Sequence, residues 1–113
     1  MIRATFFRTA AGTFQQFTLQ GHADAGDYGH DIVCAAVSAV AIGAANSIEV
    51  MAGFDPVTAV DAVNGGHLTV TVPAVLKGES AHVTQILLES LLLTLTQIEE
   101  TNPDHIRVKT HNS

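Results

Sequence analysis

The sequence predicts an α+β domain, an antiparallel-type sheet with two helices on one face, in the order β-β-α-β-β-α-β. Three observations predict it. Short runs rich in β-branched and aromatic residues, such as "IRATFFRT", "TFQQFTLQ" and "HLTVTVP", are bounded by turn residues. Two longer segments, 32 to about 52 and about 79 to 101, repeat apolar residues at helical spacing instead. The strand-like runs come mostly as neighbours that hairpins would join, so the helices are left to cover a face.

Taken in order, Ala11-Gly12 sits where a hairpin turn would separate the first two strands. A stretch punctuated by Gly21, Gly26 and Gly29 follows. Asp31 then has the side chain of a helix N-cap, able to accept from the free N–H groups of a first turn. Beyond it Ile32, Val33, Val37, Val40, Ala44 and Ile48 recur at helical spacing, among small residues that allow close packing on a sheet. Gly53 and Pro56 end that helix. "NGG", between "VTAVDAV" and "HLTVTVP", is a strong hairpin signal, and Leu68, Val70 and Val72 alternate with Thr69 and Thr71 as a half-buried strand requires. Glu79 or Ser80 opens the second helix, which ends near Thr101 ahead of Pro103, and "IRVKT" reads as the last strand. In the second helix Ile86, Leu87, Leu88, Leu91, Leu92, Leu93, Leu95 and Ile98 go most of the way around the cylinder. A helix apolar all round is either central or shared with another chain, which favours a homodimer.

Composition narrows the class. At 113 residues the chain suits one domain, 1–113, with one core. An apolar fraction of 47% with 14% charged residues argues against disorder. The net charge of −6 favours basic partners, and with only five Lys and Arg residues and no cluster among Arg3, Arg8, Lys77, Arg107 and Lys109, no direct nucleic-acid contact is expected. A single cysteine makes no internal disulfide. The N-terminus lacks the apolar core of a signal peptide, and the apolar stretch at 32–45, interrupted by Ser38, is shorter than the ~18 residues that span a bilayer. A cytoplasmic protein without membrane contact is the expectation.

The chemistry gathers in "GHADAGDYGHDIVCAAVS", residues 21–38. If Asp31 caps the helix, Cys34 lies in the first turn, where the macrodipole favours a thiolate. His22 and His30 are the candidate bases; spacing does not choose between them. Ser38, four residues on, shares the face of Cys34 and could bond near the sulfur or orient a carbonyl. Free N–H groups at the helix start, that of Cys34 included, could form an oxyanion hole. The glycines would let the loop act as a lid. A lone cysteine in an apolar helix is, however, most often a small buried hydrophobe. A metal held by His22, His30, Cys34 and Asp31 matches no common ligand spacing, so neither metal nor cofactor is expected.

"GHA" followed, after a glycine-containing loop, by "DIVCAAVS" resembles the signature of the ribosomal-processing cysteine proteases of the Prp family. The element order and the leucine-rich second helix fit that family along the whole chain. The resemblance implies a small, homodimeric, cytoplasmic Cys–His endopeptidase that removes the N-terminal extension of a large-subunit ribosomal protein. Residue by residue it implies Cys34 as nucleophile and His22 as base, Asp31 and Ser38 in supporting roles, and Gly21, Gly26, Tyr28 and Gly29 in the lid and substrate loop. The extension such enzymes remove ends in apolar and aromatic residues, which an apolar groove near the lid would hold. Two rivals stand beside this reading: a non-enzymatic ribosomal-protein-binding or assembly factor, and a redox or metal sensor built on Cys34.

Overall fold

Ile2, Ala4 and Phe6 are buried while Arg3, Thr5 and Phe7 between them are not, and this alternation along β1 (Ile2–Arg8) sets the layers of the molecule. The structure, a computed structural model, describes residues 1–21, 28–61 and 67–112, the first four residues of the first helix by backbone only. β2 (Phe14–Gln20) pairs antiparallel with β1 across the expected turn, where Gly12 has φ +91°. α1 (Tyr28–Ala52), β3 (Val57–Asp61), β4 (His67–Thr71), α2 (Gly78–Thr101) and β5 (Ile106–Asn112) complete the predicted order. β3 and β4 pair antiparallel, as the "NGG" signal predicts, although that turn lies outside the described residues. The sheet order is β3-β4-β2-β1-β5. Its one departure from the antiparallel expectation is β5, which runs parallel to β1.

One face of the sheet carries the core. Ile2, Phe6, Phe17, Val70 and Ile106 bury against Val37, Ala41 and Ile48 of α1 and Leu88, Leu91 and Leu95 of α2. Phe14 and Phe17 both join it although their spacing of three would put them on opposite faces of a regular strand. The pairing explains this: Phe7 faces Gln16 while Arg8 faces Phe14, so Gln15 is an extra residue in a β-bulge that turns Phe14 inward. There the Phe14 and Phe6 rings lie 5.6 Å apart, and the Arg8 guanidinium sits 3.9 Å from the centroid of the Phe14 ring.

The helices end as their sequences direct. Gly53, at φ +85°, follows α1, and its N–H donates to the Glu49 carbonyl oxygen at 3.2 Å. Ser80 Oγ donates to the Ala52 carbonyl oxygen at 2.8 Å, tying the start of α2 to the end of α1. Asn102 closes α2 with both its backbone and side-chain N–H groups on the Ile98 carbonyl oxygen.

Three expectations need correction. α1 starts at Tyr28, so Asp31 lies inside the first turn rather than at its cap, and Tyr28 and Gly29 belong to the helix rather than to a loop. Asp27 precedes Tyr28 in the sequence and is the same capping residue type, so composition marks two possible starts. The leucines of α2 are mostly covered: Leu88, Leu91 and Leu95 are buried, Leu87, Leu92 and Ile98 half-buried, and only Ile86 and Leu93 exposed. The barer helix is α1, where Ile32, Ala35, Ala39, Ile42 and Val50 are exposed and no charged residue occurs from Ile32 to Ile48. That helix is also long and apolar enough to cross a membrane by length and composition, but Val33, Val37, Ala41, Ala45 and Ile48 bury one side of it in the core. Finally, Arg3, Arg107 and Lys109, scattered in sequence, do come together, in one cleft on the open face of the sheet.

Candidate active site

Cys34 is half-buried on α1, where it packs against the core and lines a cleft of about 130 Å³. α1 supplies Cys34, Val37, Ser38 and Ile42 to this cleft, at the helical spacing that puts them on one side. The sheet supplies Ile2, Leu19, Val60 and Leu68 as an apolar wall. A space of this size is comparable to the ~150 Å³ cavity that takes up a benzene ring, so one aromatic or branched side chain would fill it.

The predicted proximity of Ser38 to Cys34 is therefore found, with Ser38 exposed on the same rim. Gly21 is there too, at the end of β2. Its φ of +90° belongs to the left-handed region, and a Cβ at this position would collide with the Met1 carbonyl oxygen. Glycine is thus required directly ahead of His22. His22 and Gly26 lie outside the described residues, and for Asp31, Tyr28 and Gly29 the structure gives helical backbone only.

The start of α1 changes one part of the chemistry. Cys34 is the seventh residue of the helix, so its N–H is committed to the carbonyl of His30 one turn back. It cannot serve the oxyanion hole that a helix starting at Asp31 would have offered. The free N–H groups of α1 are those of its first turn, at Tyr28, Gly29 and His30. Cys34 also lies beyond the first turn, over which the helix macrodipole acts most strongly.

Two polar residues in the cleft escaped the sequence reading. Asp61 and His67 face each other across the β3–β4 pair, and both line the cleft with Cys34. His67 Nε2 is 2.9 Å from Thr69 Oγ1, which holds the ring. Of the other described histidines, His82 lines a separate cleft beside Phe14 and Gln85, His105 lies in the turn after α2, and His111 is on the open sheet face. No sequence signal pointed to His67, since only the order of the strands in the sheet carries it to α1. Among the described residues, no group of three or more His, Cys, Asp or Glu comes together as a metal site would need.

Comparison with known proteins gives this arrangement its context. A family model described as cysteine protease Prp matches residues 1–107. A ribosomal processing cysteine protease Prp from Bacillus subtilis is 36% identical over 111 residues, which cover 98% of each chain. The crystal structure of SMU.848 from Streptococcus mutans superposes with a TM-score of 0.87 at 35% identity, over 100% of this chain and 96% of that one. The Staphylococcus aureus protease Prp with a covalently linked product peptide superposes with a TM-score of 0.75 at 34% identity, over 97% and 99% of the two chains.

Proposed function

The chain belongs to the Prp family of cysteine proteases, and from that premise we propose that it removes the N-terminal extension of a large-subunit ribosomal protein, with Cys34 as nucleophile and His22 as base. One observation carries the assignment of the nucleophile. The sequence has a single cysteine, and that cysteine borders a cleft sized for an apolar side chain. A cysteine protease with one thiol has one candidate.

In the proposed reaction His22 takes the proton of Cys34, and Sγ attacks the scissile carbonyl carbon. Free N–H groups of the first turn of α1 stabilise the oxyanion. As the tetrahedral intermediate collapses, the carbon–nitrogen bond breaks and His22 protonates the departing amine. Water, deprotonated by the same imidazole, then releases the acyl group from sulfur. A covalently linked product in the Staphylococcus aureus relative is in keeping with a covalent intermediate. Asp31 orients the imidazole and Ser38 Oγ supports the bound carbonyl. The segment from Gly21 to Gly29, Tyr28 included, receives the substrate, whose apolar residue enters the cleft; if Tyr28→Ala left cleavage unchanged, Tyr28 would have no part in this. Asp24, Asp27 and Asp31 raise the local concentration of a basic precursor. No cofactor takes part. The uncovered apolar side of α1 supports the homodimer, and the enzyme acts in the cytoplasm on soluble precursor.

Cleavage of the precursor by wild type, Cys34→Ala, His22→Ala and His67→Ala, read by mass spectrometry, tests this assignment. A single cut by the wild type that is lost in Cys34→Ala and His22→Ala, with His67→Ala changed mainly in KM, is the expected result. His67 is the specific alternative, because it is the described histidine that shares the cleft with Cys34. Loss of kcat in His67→Ala with activity kept in His22→Ala would move the base to β4.

A further inference from the structure

We propose that the open face of the sheet binds a single-stranded segment of nucleic acid, with Arg3, Arg107 and Lys109 on its phosphates and the Phe7–His111 pair against its bases. The parallel register of β1 and β5 builds the surface. Arg3 lies opposite Arg107, Thr5 opposite Lys109 and Phe7 opposite His111, all turned away from the core. Neighbouring strands are about 4.8 Å apart and alternate residues along a strand about 6.6 Å apart, so three cations stand within one short track. They are three of the five Lys and Arg residues of a chain with net charge −6.

Like charges directly opposite one another in a sheet are destabilising. The chain has eleven carboxylates that could relieve them. Among the described residues no carboxylate lines this cleft, and none of the three cations has an ion-pair partner. Solvation alone does not require this arrangement, since β2 wets the same face with Gln16, Thr18 and Gln20. Beyond the cations the Phe7 and His111 rings stack with centroids 5.5 Å apart and planes 25° from parallel. A basic track on a sheet ending in stacked rings is the combination by which single strands are held without sequence preference. An acidic peptide would neutralise the cations but leave the rings without a stacking partner. With a Debye length of about 8 Å at physiological ionic strength, the carboxylates elsewhere on the molecule are largely screened from this face.

Fluorescence anisotropy with the full chain and labelled ten-nucleotide oligouridylate and oligothymidylate tests the proposal between about 50 and 200 mM salt. Three phosphate contacts predict a slope of log K on log salt of about −2. The variant Arg3→Gln/Arg107→Gln/Lys109→Gln should bind at least tenfold more weakly and flatten that slope. Phe7→Leu/His111→Ser should weaken both oligonucleotides but leave binding of inorganic polyphosphate unchanged. Preference for one oligonucleotide over the other identifies RNA or DNA as the natural ligand. Both variants should cleave the precursor at the wild-type rate, which shows that they are folded. Absence of oligonucleotide binding, or binding unaffected by the triple substitution, overturns the proposal. So does a ten-residue polyglutamate, or polyphosphate of matched length, binding as tightly as the oligonucleotides.

Discussion

At the scale of single residues, Gly21 links the fold to the chemistry. It holds φ +90° against the backbone of Met1 and Ile2 and borders the cleft directly ahead of His22. Gly21→Ala forces a Cβ into the Met1 carbonyl oxygen and strains the backbone, a loss of about 1–3 kcal/mol of stability. Urea unfolding should register that loss, and peptide cleavage should fall further than stability alone accounts for, because the displaced backbone carries the proposed base. The residues of the site differ in how well the sequence disclosed them. Cys34 stands out as the only thiol, and helical spacing puts Ser38 on its face, where both line the same cleft. Asp61 and His67 were invisible for a physical reason: strand pairing brings them to the cleft that Cys34 also lines, and periodicity along a chain says nothing about which strands become neighbours. The start of α1 was misread because two aspartates, Asp27 and Asp31, both suit a cap and the sequence holds no second signal between them.

At the scale of elements, β2 depends on a side chain of α2 at the place where its pairing is irregular. Gln85 Oε1 accepts from the Phe14 N–H at 2.6 Å and Gln85 Nε2 donates to the Phe14 carbonyl oxygen at 2.9 Å, so one amide satisfies both backbone groups of that residue. Gln85→Leu fits the volume but leaves both groups without this partner, and should lower stability by about 1–3 kcal/mol with an unchanged urea m-value. Existence and order of the elements were legible because alternation and helical spacing are local properties. The bulge at Gln15 was not, since it appears only when β2 is laid against β1. Nor was the true balance between the helices. Counting apolar residues singled out α2, yet its leucines are largely consumed by the core, whereas the alanines and isoleucines of α1 leave one side uncovered.

At the scale of the whole molecule, that uncovered side places the proposed dimer contact on α1. The wild type should sediment as a dimer, and Ala39→Glu combined with Val50→Glu, which introduces two carboxylates into exposed, previously apolar positions, should yield a monomer in sedimentation velocity. If the doubly substituted protein still sediments as a dimer, the contact lies elsewhere. Sheet order is the least legible level of all, because the position of β5 beside β1 rests on residues far apart in sequence. That pairing has a consequence for biogenesis. Ile2 meets Ile106, and the Val108 N–H is held at 2.8 Å by the Glu99 carboxylate, so the outer edge of β1 finds its partner only after the whole segment from β2 to α2 has been synthesised. Folding on the ribosome can assemble the β1–β2 hairpin early, but it leaves a strand edge open to wrong neighbours until β5 emerges, and native contacts of such long sequence separation form slowly. A nascent chain stalled before residue 106 should therefore be captured by chaperones far more readily than the released protein.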